Sequence, residues 1–285
     1  MLLADCRSPL PLGDIPDLPT LPAAASLALA ISEDPDATAS DLLRVIMSDP
    51  PLAAKLLRVA NSVYYQRGVD VKDLQTAIVR LGFANIRTLL VGLSVIRSFD
   101  DFFRGAAYSR EDFWAHSIAT GLMAAHLTRS TANLSSSTAF IAGLLHDIGK
   151  LLLDRHHRKG WTEALWLSRL SSIPLDEAER RTMGGDHAAV GGDVLSAWRL
   201  PAEVAEPVRW HHQPSGAAER HRPHAAAIQV ADFLCIRAGI GYSGNEHPAE
   251  PPPELLVALR ATDERVRAGL ELIERSPLMT VLIPR

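Results

Sequence analysis

Cysteine is scarce in this chain: only Cys6 and Cys235 occur among 285 residues, and they do not form a Cys-x-x-Cys motif. A fold stabilised by several disulfide bonds is therefore not expected. The chain also lacks the paired cysteine and histidine spacing of a zinc finger. A reducing compartment fits this cysteine content best.

Long apolar runs are missing as well. Crossing a bilayer takes about 20 consecutive apolar residues. The longest candidates, residues 23–31 and 89–96, are much shorter and are typical of core helices. The N-terminus has neither the basic start nor the apolar centre of a signal peptide. The sequence therefore predicts a cytoplasmic protein without membrane association.

The chain has no strong excess of one charge. Its formal net charge is −4, with 47% hydrophobic and 22% charged residues. This balance argues against a whole-protein affinity for nucleic acid or anionic membranes. Residues 81–90 could pass for the turn of a DNA-reading motif, but no basic stripe accompanies them. A buried helical hairpin is the better interpretation, so DNA binding is not expected.

Histidine is absent from the first 115 residues, and all 11 histidines lie between His116 and His247. All five tryptophans fall in the same half of the chain. We interpret the two halves as having different roles, in which the second half holds a polar site and the first half only packs.

The first half of the chain contains several residues that are typical of helix starts and ends. Thr38 with Asp41 three residues later is typical of a helix start. Asp49 before two prolines is a second start, because proline is tolerated in the first helical turn. A further helix is predicted from Leu74 to Leu81, ended by Gly82 as its cap, and another over about residues 85–96. No segment is typical of a β-strand, so the predicted fold class is all-α.

The adjacent pair His146–Asp147 is the most informative local feature. Neighbouring side chains on a helix point about 100° apart, so they converge naturally only on a shared object. A metal ion is the commonest object that binds an imidazole and a carboxylate together. Further candidate ligands lie on both sides of the pair, and all of them are embedded in helical, apolar sequence: His116, His187, His211, His212 and Asp232.

This ordered series resembles the HD superfamily of metal-dependent phosphohydrolases over roughly residues 110–240. A single histidine would be typical of an ordinary structural residue, but the full series in this order is specific. The motifs that carry the resemblance are Trp114-Ala-His116-Ser, Leu144-Leu-His146-Asp147-Ile-Gly-Lys150, Asp186-His187-Ala-Ala-Val-Gly191, Trp210-His211-His212 and Val230-Ala-Asp232.

The resemblance implies a ligand set. A first metal would be held by His116, His146, Asp147 and Asp232. In relatives with two metals the aspartate of the pair bridges, which implies His187 and His211 as ligands of the second ion. His212 is then an extra ligand or a substrate contact. Imidazole and carboxylate ligands suit iron, manganese or zinc better than calcium, so we expect a divalent, dinuclear centre.

Asp147 and Lys150 are the candidate catalytic residues. Two ions close together can clamp a phosphoester and lower the pKa of a water, and Asp147 would hold them. In HD enzymes the lysine at the position of Lys150 approaches the substrate phosphate as a point charge. The alternative for Lys150 is a solvated cation near a helix end.

A second resemblance lies further upstream. The string Asp49-Pro-Pro-Leu-Ala-Ala-Lys-Leu-Leu-Arg-Val-Ala-Asn61-Ser62-Val-Tyr64, followed by Ala77-Ile-Val-Arg-Leu-Gly82, resembles the N-terminal signature of the HDOD (HD-related output domain) family. These are bacterial signalling modules with an all-helical fold, in which a small N-terminal bundle packs on an HD-type bundle. The combined similarity spans about residues 15–240.

This implies four segments: an extended N-terminal segment over residues 1–15, an N-terminal helical subdomain over 16–105 and an HD-type metal-site subdomain over 106–240. Residues 241–285 would be a linker, rich in glycine and proline over 241–253, and a C-terminal helix or helix pair.

The two resemblances imply different functions. HDOD modules act in signal transduction or regulation, which implies a protein partner or a nucleotide ligand. The intact ligand series implies instead a phosphohydrolase for a nucleotide or cyclic dinucleotide. The chain departs from the dinuclear HD-GYP cyclic di-GMP phosphodiesterases, because Gln-Pro-Ser-Gly-Ala-Ala-Glu at 213–219 stands where a Gly-Tyr-Pro motif would follow. The signalling function is the first hypothesis, catalysis stays open, and the oligomeric state is not readable.

Overall fold

The computed structural model describes residues 38–61, 70–103, 106–129, 131, 134–276, 278–281 and 283, together with isolated positions before residue 38. Every regular element in these residues is a helix, so the predicted all-α fold class is confirmed. Ser62, Tyr64 and almost all of the predicted extended segment 1–15 lie outside the described residues. None of the described helices combines the length and the apolar character that a bilayer crossing demands.

Contacts within the chain divide it into two compact units. We call Pro19–Asp100 with Glu274–Arg285 the N-terminal unit, and Met1–Leu18 with Asp101–Ile273 the histidine unit. The four segments expected from the sequence stay predictions, because they follow motif limits rather than contacts.

The helices of the N-terminal unit begin where the sequence places caps. They are α1 (Ala39–Met47), α2 (Pro50–Ala60), α3 (Leu74–Leu81), α4 (Phe83–Ser98) and a last short helix (Leu278–Val281). The Asp41 carboxylate accepts hydrogen bonds from the backbone N–H of Thr38 at 2.8 Å and from its hydroxyl at 2.6 Å. Asp49 accepts from the backbone N–H of Leu52 at 3.1 Å. Both predicted helix starts are therefore correct, because each satisfies N–H groups that the helix itself leaves free.

The segment 81–90 is a helical hairpin in the N-terminal unit. Gly82 ends α3 with a φ of +82°, a backbone conformation that favours glycine, and α4 begins directly after it. Leu81, Ile86 and Leu90 are buried. The fourth helix thus begins two residues earlier than the predicted start at residue 85.

The side chain of Asn61, just before the segment 62–69, forms two hydrogen bonds with the backbone of Val71. Its side-chain amide donates to the carbonyl of Val71 at 2.7 Å, and its side-chain oxygen accepts from the N–H of Val71 at 2.6 Å. An amide is the side chain that can give and accept together in this way. This gives a structural role to the asparagine of the N-terminal signature.

The histidine unit contains the longer helices. In chain order they are α5 (Arg110–Thr128), α6 (Ser136–Leu145), α7 (Ile148–His156), α8 (Arg158–Ser171), α9 (Leu175–Met183), α10 (His187–Ala197), α11 (Ala202–Arg209), α12 (Arg222–Arg237), α13 (Pro253–Ala258) and α14 (Asp263–Glu274). The sequence predicted a C-terminal helix or helix pair after residue 253, and the structure has two helices there, α13 and α14.

Glycines let the helices that carry the histidines approach closely. A Cβ atom on Gly143 of α6 would lie 2.8 Å from the Cα of Gly121 in α5. A Cβ atom on Gly149 of α7 would lie 2.0 Å from the carbonyl oxygen of His187 at the start of α10. Real Cβ atoms do not occupy such distances, so glycine is required where α7 crosses α10. These crossings set the spacing between the histidine-bearing helix ends.

We predict that Gly149→Ala lowers the free energy of unfolding by at least about 2 kcal/mol, because the new methyl group meets backbone atoms that cannot yield. Urea unfolding followed by tryptophan fluorescence measures this loss in the histidine unit, because all five tryptophans lie between residues 114 and 210.

Gly191→Ala is the matched control in α10. There a Cβ atom would lie 3.2 Å from a methyl group of Val208, which can shift. A gain in helix propensity of up to about 1 kcal/mol offsets the contact, so stability should change by less than about 1 kcal/mol. Equal losses in the two variants would contradict the close crossing at Gly149.

Candidate metal centre

The seven candidate ligands lie mostly at helix ends of the histidine unit. His116 is in α5 and Asp232 in α12. His146 is the residue that ends α6, and Asp147 immediately precedes α7. His187 is the first residue of α10, where the Asp186 side chain caps the helix by accepting from the N–H of Ala189. His211 and His212 follow α11 in a turn.

The structure brings all seven side chains together. Two groups have ligand atoms within 4.8 Å of one another: His116, His146 and Asp147 form one, and His187, His211 and His212 form the other. All of these residues are buried except His212, which is half-buried. The convergence expected from the sequence is therefore found in the geometry.

Asp147 connects the two groups. Its Oδ1 atom lies 3.3 Å from Nε2 of His146 and also 3.3 Å from Nε2 of His187. Its Oδ2 atom lies 3.7 Å from Nε2 of His116. The carboxylate therefore lies within reach of both imidazole groups, and the bridging role that the resemblance implies for it stays a prediction.

Asp232 completes the first group. Its Oδ1 atom lies 2.9 Å from Nε2 of His116 and 3.6 Å from Nε2 of His146. We call His116, His146, Asp147 and Asp232 site A, and Asp147, His187, His211 and His212 site B. Site A has two carboxylates, whereas site B shares one carboxylate and has three imidazoles.

Backbone carbonyls orient the imidazoles. Nδ1 of His146 lies 2.7 Å from the carbonyl oxygen of Gly143, and Nδ1 of His211 lies 2.7 Å from that of Val208. A carbonyl only accepts, so each Nδ1 carries a proton and donates it, and each Nε2 faces the centre. This is the orientation that metal-binding histidines adopt.

Some buried polar atoms of the centre make no hydrogen bond of good geometry among the described residues. They include Nε2 of His146 and of His211 and Oδ1 of Asp147. Leaving such an atom unpaired costs about 1–3 kcal/mol. All three can act as electron-pair donors, and a divalent cation would satisfy them. The residues therefore fit a metal centre.

The protonation states agree with this fit. Burial lowers the pKa of His211, and the neighbouring His212, His146 and His187 lower it further. Burial alone would raise the pKa of Asp147, but His146 and Lys150 hold it well below its usual range. Neutral imidazole and ionised carboxylate are the forms that bind metal.

His146 and His187 shift in the opposite direction. Burial lowers the pKa of His146, but Asp147 and Asp232 outweigh it and raise the pKa to about 9. Burial is likewise outweighed at His187, where Glu179 and Asp147 raise the pKa to about 9. A metal ion would have to displace these protons, so metal binding by the centre should release protons.

Lys150 is not a solvated cation, and that alternative is wrong. The side chain is only 2% exposed because α7 carries it into the unit. Its Nζ atom donates to Oδ2 of Asp147 at 2.7 Å and to Oγ of Ser243 at 3.2 Å. A buried ammonium group is stable only with such partners. Its predicted catalytic role stays a prediction.

Glu179 belongs to the centre although the sequence analysis did not select it. It is fully buried, and its Oε2 atom accepts from the backbone N–H of His187 at 2.8 Å and from Nδ1 at 2.7 Å. Burial raises the pKa of Glu179, opposed by His187. The available signal was that Glu179 lies one turn after Leu175, on the buried face of α9, unlike the half-buried Glu177.

We predict that Glu179→Gln weakens metal binding at site B about ten- to hundredfold, because the amide cannot accept from both N–H groups of His187 with equal strength. Competition with a chromophoric chelator measures this affinity. Glu177→Gln makes the same chemical change at a half-buried position of α9 that pairs with Arg181 and not with a candidate ligand, so it should leave the affinity unchanged. Similar weakening in both variants would show that Glu179 does not hold His187 for a metal.

Comparisons with known proteins agree with the fold. A protein from Marinobacter aquaeolei VT8, provisionally named a signal transduction protein, superposes with a TM-score of 0.77 at 22% identity, covering 98% of this chain and 62% of that one. A protein from Shewanella amazonensis SB2B, provisionally named a phosphohydrolase, gives 0.75 at 20% identity, covering 96% and 97%. At these identities the likeness shows the fold alone.

A relative in Treponema pallidum (strain Nichols), of uncharacterised function, is 24% identical over 270 residues, or 90% of this chain. The chain spans about half the length of that relative. The family model described as "HDOD domain" matches residues 18–214. Because this match covers more than half of the chain, the resemblance seen in the sequence is confirmed, and the protein belongs to the HDOD family.

Proposed function

We propose that this HDOD protein is a signal transduction protein whose histidine unit binds two divalent metal ions and acts through a bound nucleotide or a partner protein. One observation carries the proposal: Oδ1 of Asp147 lies 3.3 Å from a histidine of each site. A shared carboxylate between two sets of imidazoles has no simple structural purpose, because desolvating it is expensive unless cations compensate its charge.

The donor set indicates which metals to expect. Site A offers two imidazoles and two carboxylates, and site B offers three imidazoles and the shared carboxylate. Iron, manganese and zinc accept such mixtures of nitrogen and oxygen, whereas calcium prefers oxygen alone. Glu179 supports site B from behind, because it fixes the ring of His187 with Nε2 towards the centre.

Burial of the centre supports signalling over turnover. Six of the seven candidate ligands are buried, and only His212 is half-buried. Repeated exchange of substrate and product is hindered at a centre with this little exposure. A ligand that stays bound and holds the histidine unit in one conformation suits it better. The signalling name of the Marinobacter relative supports the same class of function.

Catalysis is the second candidate, and Lys150 favours it. Its ammonium group lies 2.7 Å from Oδ2 of Asp147, within the candidate centre. Two bound ions would supply a nucleophile by lowering the pKa of a water and would stabilise charge on the phosphoryl group. Asp147 would hold the ions in place, and Lys150 would orient the substrate phosphate. The name of the Shewanella relative points to this class.

Elemental analysis of the protein purified without chelator, combined with a screen of nucleotide phosphoesters and cyclic dinucleotides, tests both candidates. We expect a content near two ions per chain in the wild type and a loss of most of it in Asp147→Asn, because that change removes the charge shared by both sites. Asp112→Asn, an exposed acid one turn before His116, should keep the wild-type content.

The outcomes separate the hypotheses. Metal without turnover supports the signalling protein. Turnover that is lost in Asp147→Asn and kept in Asp112→Asn supports the phosphohydrolase. Protein that contains no metal and takes up none on addition of manganese, iron or zinc contradicts both candidates.

A further inference from the structure

A chain of three charged side chains joins α9 to the beginning of α10. In α9, Nη2 of Arg180 donates to Oδ2 of Asp176, one turn earlier in the same helix, at 2.6 Å. Its Nη1 donates to Oδ2 of Asp186, directly before α10, at 2.5 Å. Asp176 is 6% exposed and Asp186 is 3% exposed. Carboxylates with so little contact with water need a positive partner, and Arg180 is a partner that both share.

The carboxylate of Asp186 holds two helices through its two oxygens. Oδ1 accepts from the backbone N–H of Ala189 at 3.0 Å and so caps the first turn of α10. Oδ2 accepts from Arg180 in α9. Because both oxygens belong to one rigid group, a shift of the carboxylate at Oδ2 also moves the cap at Oδ1. The ion pair therefore restricts where the first turn of α10 can lie relative to α9.

His187 is the side chain that this arrangement places. It follows Asp186 directly and is the first residue of α10. Its backbone nitrogen and its Nδ1 lie 2.8 Å and 2.7 Å from Oε2 of Glu179 in α9. Its Nε2 lies 3.3 Å from Oδ1 of Asp147 and 2.9 Å from Nε2 of His212. A rotation of the first turn of α10 would change these distances, and site B is made of the same side chains.

Arg180 also lies close to site B, where its charge has to be compensated. Together with Asp186 and the candidate ligand His212, it lines one narrow cleft. An uncompensated cation next to a metal site would repel the metal ion. The carboxylates of Asp176 and Asp186 both pair with the guanidinium group. Arg180 can therefore hold α10 without opposing a cation at site B.

We propose that Arg180 is a positioning residue for site B: through Asp186 it fixes the first turn of α10, so that Nε2 of His187 can bind a metal ion. This inference rests on the proposed function, because it takes His187 as a metal ligand. The ligands of site A lie outside α9 and α10, so the effect of Arg180 should be confined to site B.

Competition with a chromophoric chelator for Zn²⁺, measured on the metal-free full-length protein, tests this role. The binding step that His187→Ala removes identifies site B. We expect Arg180→Gln to weaken that step about tenfold, as the loss of a group that supports a metal ligand does, and to leave site A within about twofold of the wild type. Arg180→Lys keeps the charge but loses the planar fork that pairs with two carboxylates, so it should restore only part of the affinity.

Arg181→Gln is the matched control. Arg181 is the next residue in the last turn of α9, but it is exposed and pairs with Glu177. Its replacement makes the same change of charge near the same helix end, so site B should stay within about twofold of the wild type. Equal weakening in Arg180→Gln and Arg181→Gln would show an effect of net charge and would overturn the proposal.

Two other results would also contradict the proposal. One is a site B affinity in Arg180→Gln that stays at the wild-type value. The other is equal weakening of sites A and B in Arg180→Gln, because that indicates a general loosening of the unit.

Amide hydrogen exchange of the metal-free protein measures the hold on α10 without any metal. The N–H groups of His187 and Ala189 are bonded to the side chains that fix the first turn. In Arg180→Gln we expect both to exchange at least about fivefold faster, while Leu195 further along α10 keeps its wild-type rate. Unchanged exchange at both groups refutes the positioning role. If the wild type takes up no zinc, the proposed metal function fails, and the exchange rates still decide whether Arg180 holds the first turn.

Discussion

The buried carboxylate of Asp147 is the constraint on which the histidine unit depends. An ionised carboxylate in a helical core costs several kcal/mol in lost hydration, and it stays there only if positive charge surrounds it. Lys150 supplies one such charge at 2.7 Å, and the imidazoles of His146 and His187 lie on either side. The neighbouring helices are arranged so that these three side chains all reach the carboxylate of Asp147.

Helix ends and close crossings make this arrangement possible. His146, Asp147, His187, His211 and His212 lie where helices begin or end, so their side chains are not confined to the face of one helix. Carbonyls of the same helix ends, at Gly143 and Val208, orient two of the rings. The backbone contact between Gly149 and His187 then brings α7 and α10 within reach of a shared site.

The two sites differ in chemical character. Site A has Asp232 in addition to Asp147 and is richer in oxygen, whereas site B has three imidazoles and the charge of Glu179 behind His187. Harder ions favour oxygen and softer ions favour nitrogen. The sites are therefore not equivalent.

The sequence by itself determined the all-α fold class, the helix caps at Thr38 and Asp49, and the seven residues that meet at the centre. Periodicity and capping act over a few residues, and the ligand series is recognisable in order along the chain. Tertiary structure alone decided the pairing of Glu179 with His187 and of Ser243 with Lys150. Ser243 lies 93 residues from its partner Lys150. Whether such a polar side chain is buried, paired or left unpaired depends on which helix faces meet, and no local pattern encodes that.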